Sequence, residues 1–167
     1  MKKCLLLLFL LPSIAFAQEC KIRKEIDQFS QLPRLTSGMV RFAADVPFQL
    51  STDATKSEIT FIFLLKNGSD AKCFDDESTL VLTFEGTKTK YTLRNAGPMN
   101  CDGYFHLVYR NTATNTQMKR LTSQKITSMT FISGKVQTVI TLNDEQQAQF
   151  QMMAQCIATE APTLLGQ

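Results

Sequence analysis

Six segments of the chain alternate apolar with other side chains at a period of two, and this alternation limits the fold more than any other feature of the sequence. Successive side chains of a β-strand point to opposite faces of the sheet, so each segment predicts a strand with one apolar face. The first segment is also apolar at Ile62 and Leu64 on its second face, which predicts a central strand covered on both sides. The predicted strands are 58–66, 79–84, 88–93, 104–110, 127–132 and 135–142.

Turn and cap residues separate these strands and predict a C-terminal helix. Glu85-Gly86 and Ser133-Gly134 each lie between two strand segments, and the second pair is typical of a two-residue hairpin loop. Asn143 is followed by two acidic residues and, at the third helical position, by Gln146, which predicts an N-cap with a capping box. The apolar face of this helix would comprise Phe150, Met153 and Ile157, with Met152 and Cys156 beside it.

The remaining segments complete a mainly β prediction. A shorter helix fits 115–124, and segment 20–29 fits either a strand or a helix, of which we favour the strand. Met152 and Met153 could form an adaptable groove, but packing against a sheet is the stronger interpretation. The sequence therefore predicts a single antiparallel β-sandwich or barrel-like domain, with a short helix and a C-terminal α-helix packed on it.

Residues 1–17 have the layout of a secretory signal peptide. Two lysines precede an apolar run, and Ala15 and Ala17 supply the small residues that a signal peptidase reads. The apolar run is well short of the ~20 residues that span a bilayer, so cleavage is favoured over a membrane anchor. We expect a signal peptide at 1–17 and a single disulfide-stapled domain at 18–167, exported to the periplasm or the extracellular space.

Four cysteines follow the predicted signal peptide, and an even number in an exported chain indicates two disulfides. Three pairings are possible. We favour Cys73 with Cys101, which would join two loops that flank a hairpin, and Cys20 with Cys156, which would fasten the N-terminus to the C-terminal helix. A four-thiolate metal site is the alternative. Because no Cys-x-x-Cys pair is present, we expect no metal and no cofactor.

The charge of the chain gives no electrostatic basis for nucleic-acid binding. The chain has 18 Lys and Arg against 15 Asp and Glu, a formal charge of +3. Loss of Lys2 and Lys3 with the signal peptide would lower that charge to +1. A near-neutral chain cannot neutralise many phosphates, and no later apolar run is long enough to span a membrane. We expect no nucleic-acid partner and no transmembrane segment in the mature chain.

Two short elements near the ends of the mature chain resemble a family of small uncharacterised exported bacterial proteins. Asp27-Gln28-Phe29-Ser30, close behind Cys20, matches the Asp-x-Phe-Ser/Thr element near the N-terminal Cys of that family. Cys156-Ile157 matches the Cys of its C-terminal helix, and 118–132 is similar to its short helix and following strand. This chain departs from the pattern by two further cysteines. The resemblance implies export and a fold of short strands ending in a helix, and it transfers no catalytic residue.

His106 is the only histidine and the one candidate for a general base. A hydrolase built on His106 would need a nucleophile and an orienting partner within reach, and the chain has no Gly-x-Ser-x-Gly motif. A half-exposed strand residue is therefore the stronger interpretation.

Three acidic residues near the inner cysteines form the second candidate site. Asp75 and Asp76 follow Cys73, and Asp102 follows Cys101, so a bond between the two cysteines would bring these carboxylates together. Such hard oxygen ligands can hold calcium. The spacing matches no EF-hand loop, and solvated acids in a turn are the stronger interpretation.

These observations favour a non-enzymatic binding or structural module of the cell envelope. Its partner would be an envelope protein or glycan. The alternatives are a small secreted hydrolase with a site near His106 and a calcium-stabilised adhesion-type module.

Overall fold

Two antiparallel β-sheets and two α-helices form the part of the chain that the computed structural model describes, which is residues 21–28, 30–42, 48–65, 73–110 and 115–164. The ten strands are β1 (Arg23–Ile26), β2 (Pro33–Thr36), β3 (Val40–Arg41), β4 (Phe48–Ala54), β5 (Glu58–Leu65), β6 (Thr79–Phe84), β7 (Lys90–Arg94), β8 (Tyr104–Arg110), β9 (Ile126–Ser133) and β10 (Val136–Thr141). The helices are α1 (Thr116–Ser123), α2 (Asp144–Glu160) and a short 3-10 helix, η1 (Ala161–Leu164).

The two sheets pack face to face as a sandwich. The first sheet has the order β1-β2-β4-β5-β8, with β3 also paired to β4, and the second has the order β10-β9-β6-β7. Every strand pair is antiparallel. The predicted fold class, a mainly β sandwich with a short helix and a packed C-terminal helix, is confirmed.

Phenylalanine rings fill the space between the sheets. The ring of Phe131 on β9 lies 5.4 Å from that of Phe63 on β5 and 5.3 Å from that of Phe105 on β8. Phe74 adds an edge-on contact of 5.3 Å to Phe105. All four side chains are at most 1% exposed. Offset and edge-on pairs of this kind stabilise a core beyond the area that they bury.

The alternation seen in the sequence explains which faces lie inside. Along β5 the side chains alternate between buried and half-buried, as they do along β6 and β8. β5 lies between β4 and β8, as expected of a central strand. Ile62 and Leu64 on its outer face are only half-buried, so the expectation that both faces are covered holds in part.

Both helices begin where their capping residues predict. The side chain of Asn115 accepts hydrogen bonds from two backbone N–H groups at the start of α1. Asn143 and Gln146 form the predicted capping box at the start of α2. Helix α2 then places Phe150 against the first sheet, with ring distances of 5.9 Å to Phe61 and 6.3 Å to Phe63.

Three strands and one turn differ from the sequence-based expectation. β2, β3 and β4 lie in segment 30–57, for which the sequence predicted no strand, because polar residues interrupt its apolar pattern: the buried residues of β4 include Ser51 and Thr52. The hairpin loop is Gly134-Lys135 rather than Ser133-Gly134, because Ser133 pairs with Val136. Gly134 has a φ of +56°, so the glycine occupies the first central position of the turn.

Candidate functional site

A cleft of about 490 Å³ lies between α2 and the edge of the first sheet. Its helical wall is one face of α2, running from Glu145 to Cys156, which spans about 16 Å at the rise of an α-helix. The opposite wall contains Ile22, Val40 and Phe42. The volume falls in the usual range for small-molecule and side-chain pockets, about 300–1,000 Å³.

Apolar side chains line the cleft, and polar groups lie among them. Ser37 and Gln149 contribute a hydroxyl and an amide, while the exposed residues Lys21 and Glu145 contribute one charge of each sign. The apolar lining residues are Ile22, Val40, Phe42, Ala148, Met152 and Met153. This combination can hold apolar groups in the cleft and hydrogen-bond a polar backbone or headgroup at its margin.

The two methionines have different positions in this arrangement. Met153 is 7% exposed and belongs to the hydrophobic core, which agrees with the predicted packing role. Met152 is half-buried, and both residues line the cleft. An unbranched thioether side chain adapts easily to the shape of a ligand. Packing in the core and lining a groove are therefore not exclusive roles, because Met153 belongs to the core and also lines the cleft beside Met152.

One of the two predicted disulfides lies within the described residues and is confirmed. Cys73 is bonded to Cys101 at a sequence separation of 28. Cys156, which lines the cleft, is also disulfide-bonded. Its predicted partner Cys20 lies outside the described residues, so the pairing of Cys20 with Cys156 stays a prediction.

His106 lies on the outer face of β8, away from the cleft. Its side chain is packed beneath Gly97, where an added Cβ would come within 2.7 Å of the imidazole ring. Burial lowers the pKa of His106, and the nearby charge of Asp53 opposes that shift only in part. Among the hydrogen bonds of the described residues, none involves the imidazole nitrogens of His106.

Two hydroxyl groups on this face are bonded to Asp53 rather than to His106. Thr36 Oγ1 and Ser51 Oγ donate to Asp53 Oδ1 at 2.6 Å and 2.8 Å. In the strand register, Ile62 lies between Ser51 on β4 and His106 on β8. An apolar side chain thus separates this hydroxyl and carboxylate from the imidazole, and no hydrogen bond among the described residues joins His106 to the nucleophile that the hydrolase alternative needs.

The acidic residues near the disulfide do not converge on one point. Asp75 accepts hydrogen bonds from the backbone N–H and the hydroxyl of Ser78, and these bonds lower the pKa of its carboxyl group. Asp76 and Asp102 are exposed. Within the described part of the chain, no group of three or more His, Cys, Asp or Glu side chains is placed to hold a metal ion. Asp75 is thus a turn residue, which is the interpretation that the sequence analysis favoured.

One wall of the cleft has no signal in the sequence. Ser37, Val40 and Phe42 lie in the irregular stretch around β3, where no periodic pattern exists. The helical wall has one, because Met152 and Cys156 stand four residues apart beside the apolar face of α2, and a groove at Met152 and Met153 was the weaker of the two interpretations above.

Comparisons with known proteins identify no relative of this chain. No protein-family model, no curated protein and no solved structure matches it. Among the helices in the described residues, none has the length and apolar character needed to cross a membrane.

Proposed function

We propose that this protein is an exported, non-enzymatic binding module of the cell envelope, and that its ligand site is the cleft between α2 and the edge formed by β1–β3. The cleft itself carries the proposal, because it is an apolar cavity of ligand size with polar groups at its margin. The signal-peptide layout of residues 1–17 and the Cys73–Cys101 disulfide support export.

The polar groups of the cleft favour a polypeptide ligand. A hydrocarbon chain needs only an apolar lining, whereas a polypeptide presents amides and charges together with apolar side chains. The Gln149 amide can hydrogen-bond a peptide backbone, and Lys21 and Glu145 can attract side chains of either sign. We therefore assign the cleft to apolar side chains of an extended segment of an envelope protein.

A fluorescent apolar probe tests whether the cleft accepts a ligand. Anilinonaphthalene sulfonate should bind the folded protein and gain fluorescence, and Ala148→Trp should reduce that gain at least tenfold because the indole fills the cleft. Thr159→Trp is the matched control, since residue 159 is an exposed position of the same helix and lies outside the cleft. Equal probe binding by the two variants would remove the cleft as the site.

Photocrosslinking in the native envelope tests the class of ligand. A benzoylphenylalanine at position 148 should form an adduct with a polypeptide, and the same group at position 159 should not. An adduct with lipid alone would overturn the assignment to a polypeptide. Equal adducts at both positions would overturn the assignment of the cleft.

A further inference from the structure

A second, much smaller cavity lies where α1 covers the ends of β6, β7 and β8. Its volume is about 10 Å³, close to the space that a single water molecule occupies. Four of its lining residues carry polar groups, namely Tyr91, Tyr109, Gln117 and Arg120. The other lining residues are Leu82, Phe84, Leu93 and Leu121.

The phenol oxygen of Tyr109 is the unusual group in this cavity. Tyr109 is 3% exposed, and its oxygen has no hydrogen-bond partner among the described residues. Burial raises the pKa of Tyr109 far above its usual range, so the hydroxyl keeps its proton and remains a donor. A buried donor without a partner is costly, and buried tyrosine hydroxyls usually have one.

Arg120, which lines the same cavity, is held against two aromatic rings. Its guanidinium lies 4.2 Å from the ring centroid of Tyr91 and 5.9 Å from that of Phe84, which is cation–π geometry. Gln117, one turn earlier on α1, carries a side-chain amide that can donate or accept. The phenol of Tyr109, the guanidinium of Arg120 and the amide of Gln117 thus line a cavity that has room for one water molecule.

We propose that this cavity is a specific hydration site, in which one water molecule accepts a hydrogen bond from Tyr109 Oη and is shared with the side chains of Gln117 and Arg120. Such a water would join β8 of the first sheet to α1. It would satisfy the phenol where no described side chain does so.

A crystal structure at high resolution and an isosteric variant test the proposal. The electron density should show one water within hydrogen-bond distance of Tyr109 Oη, and in solution the protons around Tyr109 should show nuclear Overhauser effects to a long-lived water. Both signals should disappear in Tyr109→Phe and persist in Tyr104→Phe, whose ring lies on the outer face of the same strand.

The midpoint of thermal unfolding distinguishes a Tyr109 hydroxyl that is bonded to water from one that has no hydrogen-bond partner. Removing a hydroxyl that is bonded to water should lower the midpoint of Tyr109→Phe, or leave it unchanged, whereas removing an unpaired buried hydroxyl should raise it. A raised midpoint, a cavity without density, or a water retained in Tyr109→Phe would each overturn the proposal.

Discussion

The two edges of the first sheet are built in different ways. At the β8 edge, hydrogen bonds and the Cys73–Cys101 disulfide fix the chain as it crosses from β7 to β8. At the opposite edge, β1, β2 and β3 are two to four residues long, and α2 packs beside them through apolar side chains. Directional bonds hold the first edge, whereas packing between a helix and short strands leaves the cleft at the second. We call these the bonded edge and the open edge.

One side chain anchors the open edge, and its removal should have the largest effect. Phe150 is 1% exposed and stacks on Phe61 and Phe63, so Phe150→Ala should destabilise the protein by about 3–5 kcal/mol. Met152→Ala, at a half-buried position two residues further along α2, is the control and should cost about 1 kcal/mol. Urea denaturation measures both. Similar losses for the two variants would show that the open edge has no single anchor.

The disulfide should contribute the largest stabilisation at the bonded edge. Its closure of a chain separation of 28 residues corresponds to about 3.6 kcal/mol in the chain-entropy model, which is an upper value. The double variant Cys73→Ser/Cys101→Ser should therefore unfold at a markedly lower urea concentration. Probe binding in the cleft should survive under folding conditions, because the disulfide lies outside the cleft lining. Loss of probe binding in a folded double variant would show that the two edges are coupled.

Asn95 is a buried side chain that fixes the connection from β7 to β8 by hydrogen bonds to the backbone. It is 5% exposed; its Nδ2 donates to the carbonyls of Asp75 and Gly97, and its Oδ1 accepts from the backbone N–H groups of Gly97 and His106. Asn95→Ala would remove the acceptor of the Gly97 and His106 N–H groups from inside the fold, at a cost of about 2–3 kcal/mol.

Asn100 provides the matched control for that prediction. It bonds Pro98 and Tyr104 in the same crossing but is half-buried, so water can replace its side chain. Asn100→Ala should cost about 1 kcal/mol in the same urea titration. A larger loss for Asn100 than for Asn95 would contradict the central position that we give to Asn95.

Local patterns predicted the bonded edge, α2 and the strand in segment 20–29, and missed β2, β3 and β4. The bounds of β6 and β8, the cap of α2 and the Cys73–Cys101 pair all follow from features a few residues long, namely alternation, a capping box and cysteine position. These features act over short distances along the chain, so the sequence contains them directly.

The open edge depends on contacts between distant segments. β3 has two residues and exists only because it pairs with β4, and β4 combines buried Thr52 with buried apolar residues. Neither has a periodic signal. The cleft arises where Ile22, Phe42 and Met152 meet from three separate segments, and no spacing in the sequence records that meeting.

The smallest expected effect is the pH dependence of stability that comes from His106. This residue lies on β8 at the bonded edge, and Gly97 covers its imidazole. Burial beneath Gly97 lowers its pKa below the usual 6.5, so the folded protein resists protonation of the imidazole more than the unfolded chain does. The unfolded state therefore binds more protons as the pH falls below about 7, and the free energy of unfolding should decline from there through the folded pKa.

His106→Gln should remove this decline and leave the stability above pH 7 nearly unchanged. Because the chain has one histidine, the difference between the two proteins isolates this imidazole. Urea titrations between pH 5 and pH 8 cover the range in which an imidazole titrates, and the lowered pKa of Asp75 places the transition of that carboxyl group further into acid. A slope that His106→Gln leaves intact would mean that another group titrates there, and that the crossing does not shield His106 from solvent.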